Sequence, residues 1–105
     1  MNYGKTIKDF RVDRMKQRQC VFAENVGITQ TYLSQIENGK KKPSTELLER
    51  ISNFIDVPLP IMFWNSITEQ DIAPEKIEAF RVLQPSINRF INTFIPESTQ
   101  NGLLT

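Results

Sequence analysis

At 105 residues, with 39% hydrophobic and 24% charged side chains, the chain has a globular composition and enough apolar material for one core, not two. It has no histidine and a single cysteine, Cys20, with no Gly-rich phosphate loop and no recognisable carboxylate pair. Zinc centres, nucleophilic triads, nucleotide loops and an internal disulfide are therefore unsupported, and neither an enzyme nor a cofactor is expected. The net charge of +1 divides unevenly: residues 1–58 carry ten Lys/Arg against seven Asp/Glu, and residues 59–105 carry three against five. The basic side chains gather at Lys5, Lys8, Arg11, Arg14, Lys16 and Arg18 and again in the run Lys40, Lys41, Lys42. Such clusters are often only a solvated face, so charge alone raises the odds of a nucleic-acid partner modestly.

Every segment with a clear period reads as helix, and the fold class is expected to be all-α. A first helix spans about 5–15, with Ile7, Phe10 and possible inner positions at Arg14 and Met15. A second covers about 19–26 and buries Phe22, Ala23 and Val26, followed by Gly27 where a left-handed turn residue is required. The third starts after Thr29 as N-cap and ends at Gly39. A basic loop closed by Pro43 leads to a fourth helix, capped by Ser44 or Thr45, whose stripe is Leu47, Leu48, Ile51, Phe54 and Ile55. After the stop at 56–58, Pro60 suits the first turn of a short fifth helix, in which Ile61, Met62, Phe63 and Trp64 are expected to close the core.

The stretch 19–38 has the layout of a helix-turn-helix: helix, Gly-containing turn, and a second helix free to enter a major groove. Small Ala23 lets the two helices approach, and Ile28, Leu33 and Ile36 anchor the latter to the body. At about 100° per residue, Gln30, Thr31, Ser34, Gln35 and Asn38 share one face while Tyr32, Leu33 and Ile36 share the other. An ordinary surface helix would expose mostly Glu, Lys and Arg. This one exposes amides and hydroxyls, which both donate and accept as base edges require.

The segment FAENVGITQTYLSQIENGKKKPS resembles the Xre family of regulators, related to the Cro and repressor proteins of lambdoid phages. The matching features are an apolar-Ala pair, a Val-Gly-Ile turn, Tyr-Leu-Ser, Glu-Asn-Gly and a basic loop ending in Pro-Ser. The likeness covers about residues 4–66 and is most specific over 19–44. It implies a five-helix DNA-binding domain over residues 1–67. It further implies base reading by Gln30, Thr31, Ser34 and Gln35, and phosphate contacts from Gln19, Asn38, Lys40, Lys41 and Lys42. Ala23, Gly27, Glu37 and Gly39 are then structural parts of the motif, with Glu37 pairing to an arginine of the first helix. Arg11 stands eight residues before Gln19 where the family usually has seven, so one extra residue is expected there, and either Arg11 or Arg14 is the partner of Glu37. Cys20 occupies a usually polar exposed position, with only Arg18 nearby to activate a thiol.

Beyond the motif, APEKIEAFRVLQPSINRFINTF keeps a helical period, with Pro85 expected to kink or break it. Residues 68–95 are expected to be a C-terminal helical extension, and 96–105 a flexible tail. The stripe Phe80, Leu83, Ile87, Phe90 and Phe94 is expected to form a homodimer interface, the alternative being a sixth helix folded onto the core. No apolar run is long enough for a membrane span and the N-terminus lacks a signal-peptide stretch, so a cytoplasmic protein is expected. The expected function is operator binding on double-stranded DNA by a homodimer that regulates transcription. The alternatives are an antitoxin that also binds a toxin protein, and an interaction module that has lost DNA binding.

Overall fold

The computed structural model describes residues 1–94, and the tail expected at 96–105 lies outside the described residues. The described chain is six α-helices without a strand: α1 Tyr3–Asp9, α2 Gln19–Asn25, α3 Gln30–Glu37, α4 Thr45–Ile55, α5 Leu59–Ser66 and α6 Ile77–Phe94. None of them is long and apolar enough to cross a membrane.

The first helix begins two residues earlier than expected because Asn2 caps it, its side-chain oxygen accepting from the Lys5 N–H at 3.0 Å. After Asp9 the winding changes. Phe10–Met15 is a π-helical stretch that ends at Lys16 in the left-handed region, with φ 54°. A π turn accommodates one more residue than an α turn within a continuing helix. It is the physical form of the extra residue between Arg11 and Gln19, and it leaves Phe10 and Arg11 facing inward, both buried.

The core is built from one or more apolar positions of every element up to α5. Ile7 and Phe10 meet Phe22, Ala23 and Val26, the anchors Leu33 and Ile36, the α4 stripe of Leu47, Leu48, Ile51 and Ile55, and then Val57 and Met62. Phe54 lies edge-on to Phe22 with ring centroids 5.6 Å apart. α1 packs against both α3 and α5, and α2 against α3. The α1–α3 approach is backbone to backbone at Gly4. A Cβ there would overlap the Ile36 carbonyl oxygen and lie 3.1 Å from that of Glu37.

α5 departs from expectation on one side. Met62 is fully enclosed, but Phe63 is turned outward, edge-on to Tyr3 at 5.7 Å, and Trp64 faces α6 instead of the core. A helix this apolar reads as buried all round; the arrival of α6 and the N-terminal segment supplies the covers. Two 3-10 turns, Glu69–Asp71 and Pro74–Lys76, carry the chain to α6. α6 continues unbroken through Pro85, which has no N–H to give the Arg81 carbonyl one turn earlier. The helix is docked by Trp64, whose Nε1 donates to Asn88 Oδ1 at 2.7 Å and whose ring lies 5.8 Å from that of Phe80.

The stripe expected as one interface is thus divided. Phe80 and Ile87 are half-buried and Ile91 is buried, whereas Leu83, Phe90 and the neighbouring Val82 are exposed. The side chain of Phe94 lies outside the described residues.

Candidate nucleic-acid interface

The turn between α2 and α3 is set by Gly27 at φ 76°, a backbone state that a side chain would strain, and is closed by the Ile28 N–H donating to the Ala23 carbonyl at 3.0 Å. Thr29 caps α3 by accepting from the Tyr32 N–H at 3.0 Å. At the other end Gly39 takes φ 79°, and the Lys40 and Lys41 N–H groups both donate to the Gln35 carbonyl, at 2.8 and 3.2 Å. The basic loop is therefore folded back onto the end of the helix instead of leaving it freely. Leu33 and Ile36 hold the opposite side of α3 in the core.

On its outer side lies a shallow depression of about 300 Å³ lined by Gln19, Gln30, Thr31, Ser34, Gln35, Asn38 and Lys40. All four residues expected to read bases and three of the five expected on phosphates border this one concavity. Within the described residues no hydrogen bond engages the side chains of Gln30, Thr31 or Gln35, while Asn38 Nδ2 reaches Ser34 Oγ at 3.4 Å. Amide and hydroxyl groups without internal partners, carried on a helix fixed from behind, can meet donors and acceptors on another molecule at little reorganisation cost.

Behind the concavity sits a buried ion pair. Arg11 donates through Nε to Glu37 Oε2 at 2.8 Å and through Nη2 to Oε1 at 3.0 Å, with Nη1 on the Gln17 carbonyl at 2.8 Å. The Glu37 side chain is 2% exposed and that of Arg11 10%. Gln19 Nε2 donates to the same Glu37 Oε1 at 3.0 Å, so one carboxylate ties the π-helical stretch, the start of α2 and the end of α3 together. Of the two arginines the sequence left open, Arg11 is the partner. Arg14 instead places Nε on the Ile55 carbonyl at 2.6 Å, at the C-terminal end of α4, where a cation also complements the helix dipole. That contact had no local sequence signal, because it joins residues 41 positions apart.

The lysine run is split by the loop. Lys40 borders the α3 concavity, whereas Lys41 and Lys42 line a second one of about 390 Å³ beside Met1, Tyr3, Pro43 and Asp71. There the N-terminal ammonium donates to Asp71 at 2.6 Å. That bond, with the Thr68 N–H and hydroxyl on the same carboxylate, holds the Asp71 carboxyl below its ordinary value. Close by, hydrogen bonds from Arg81 likewise lower Glu69. Neither acid was singled out from sequence.

The comparisons with known proteins agree with this geometry. The sequence matches the helix-turn-helix family over residues 7–61, more than half of the chain. It is 38% identical over 72 residues to the "ImmF control region 10 kDa protein" of Bacillus phage phi105, covering 69% of this chain and 76% of that one. Against the "Control protein C.MunI" of a Mycoplasma species it is 33% identical over 63 residues, 60% of this chain and 85% of the relative. No solved structure matches it. A motif match from the first helix into the fifth, two control proteins among its relatives, and an amide-lined α3 braced by Arg11 and Glu37 place the chain in the Cro- and repressor-like helix-turn-helix family of DNA-binding transcriptional regulators.

Proposed function

We propose that the chain regulates transcription by occupying an operator in double-stranded DNA as a homodimer, with α3 of each copy in the major groove. The observation that carries this reading is the single concavity on α3 that gathers Gln19, Gln30, Thr31, Ser34, Gln35, Asn38 and Lys40. Gln30 and Thr31 occupy the first turn, from which a recognition helix reaches base edges. An amide can bond an adenine edge twice, and the Thr31 methyl can meet a thymine methyl. Asn38, Gln19 and Lys40, which border the same concavity, contact phosphates, whereas Lys41 and Lys42 line the second concavity and contribute less.

The exposed α6 residues Leu83 and Phe90, with Val82 beside them, form the surface by which two copies associate. Large apolar groups aligned on one helix are uncommon on a monomer. Half-site recognition rewards two-fold symmetry in the protein. The test is selection of bound fragments from a random double-stranded DNA pool by the intact chain. Enrichment of an inverted repeat is the expected result; a pool that stays random after repeated rounds would remove sequence-specific operator binding from consideration.

A further inference from the structure

We infer that two copies of α6 pair antiparallel about a two-fold axis passing between Gln84 and Pro85, with Leu83 and Phe90 of each seated over the partner's Ser86 and the partner's Ala79. This rests on the homodimer reading above and specifies how that dimer is built. Trp64 already covers Phe80, and Ile91 is turned inward, so the exposed side of α6 is only part of the apolar stripe. Val82, Leu83 and Phe90 are 70, 56 and 65% exposed. Ala79 and Ser86 are exposed as well.

Ala79, Leu83, Ser86 and Phe90 follow one another at spacings of four, three and four, the repeat that keeps one seam facing a partner helix. Along that seam small and large side chains alternate strictly. In a parallel pair each residue meets its own copy, so Phe90 crowds Phe90 while Ala79 leaves a gap at Ala79. Reversing one helix removes the conflict. The axis position that sets Leu83 over the partner's Ser86 also sets Phe90 over the partner's Ala79, so both large side chains find a hollow at once.

The charges select the same arrangement. Glu78 and Arg89 lie along one flank of the seam, both exposed, and neither has an ion-pair partner within the described residues. Arg89 reaches only Ser86 Oγ, at 3.2 Å. Arg81, by contrast, is already engaged by Glu69. In the antiparallel register Glu78 lies within two residues, about 3 Å of helix rise, of the level of the partner's Arg89, and the symmetry makes that pair twice. A parallel pair would instead carry these two flanks to opposite sides of the seam, where Glu78 and Arg89 of the two copies do not meet.

The experiment is sedimentation of the full chain at low ionic strength, comparing wild type with Leu83→Asp, Glu78→Arg, Arg89→Glu and the double reversal Glu78→Arg/Arg89→Glu. Circular dichroism checks that each variant keeps its helices, which exposed positions permit. Wild type is expected to be dimeric and Leu83→Asp monomeric. Each single reversal turns two attractions into repulsions and raises the dimer dissociation constant about 5- to 30-fold, while the double reversal returns it to within about threefold of wild type. Single reversals without effect, or a double weaker than either single, overturn the register while a monomeric Leu83→Asp keeps the dimer on α6. A monomeric wild type, or a Leu83→Asp that stays dimeric, overturns both.

Discussion

Gln30 stands exposed in the first turn of α3, with its side chain free of any hydrogen bond within the described residues. A group in that state loses little on engaging a base edge, and it discriminates because a wrong base leaves its donor or acceptor unmatched. Gln30→Ala is therefore expected to cost about 1–3 kcal/mol on the selected site and little on random DNA, measured as paired titrations of the two. Equal losses on both would show that α3 is not the reader. Glu37 acts differently, since its carboxylate is buried against Arg11 and Gln19 and does not line the α3 concavity. Removing it leaves the 10% exposed Arg11 side chain buried without a counter-charge, for which about 3–5 kcal/mol of stability is typically lost. Urea denaturation of Glu37→Ala checks this, and a loss below about 1 kcal/mol would mean the pair behaves like a surface contact.

At the scale of elements, the α1–α3 crossing depends on the missing side chain of Gly4. Alanine would favour the helix by up to about 1 kcal/mol. Its Cβ, however, would overlap a backbone carbonyl of α3 that cannot rotate aside, and forcing helices apart costs about 1–3 kcal/mol. Gly4→Ala is expected to lower the urea midpoint, and an unchanged or raised midpoint would show that the two helices can separate freely. The loop after α3 gives a second element-scale prediction. Lys40, on the rim of the reading concavity, is expected to lower the salt slope of DNA binding by about one unit when replaced by alanine, equally for all sequences. Lys41 and Lys42, which face the other concavity, are expected to change it less; three equal effects would mean the loop rearranges on DNA. The helices themselves were legible from period and caps, because Thr29, Ser44, Gly27 and Gly39 are local signals for local backbone states. The π-helical stretch was legible only as a surplus residue, since its winding is fixed by where Phe10 and Arg11 must point to be buried. The partner of Glu37 and the division of the α6 stripe depend on residues distant in sequence, Arg11 and Trp64, and no periodicity encodes those. The side chains around the α3 concavity were foreseen individually; that Gln19 shares Glu37 with Arg11 was not.

For the whole molecule, the decisive quantity is the distance and phase between two reading helices. α6 is bound to its own domain by the Trp64–Asn88 hydrogen bond, the Trp64–Phe80 ring contact and the Arg81–Glu69 pair, so a dimer made through α6 holds its two domains at a set separation. In the proposed complex, charge favours α3 and not α6 on the DNA: residues 59–105 have more acids than bases, while the basic excess belongs to residues 1–58 with α3. In the proposed dimer, two α3 helices related by a two-fold axis are expected to meet successive major grooves about 34 Å, or 10–10.5 base pairs, apart, or a multiple of that distance. Inserting five base pairs between the half-sites turns one of them about half a turn away, beyond the reach of a domain tied to its partner through α6. Affinity is expected to fall by about 100-fold or more, to the level of a single half-site, because linked binding contributes that much without new contacts. Leu83→Asp, which breaks the association while leaving α3 untouched, is expected to bind the unaltered operator as weakly as wild type binds the lengthened one. Titrations of both proteins on both DNAs decide the matter: an insertion without effect on wild type would mean that the two domains are not held in register, and the dimer would have to be built elsewhere than on α6.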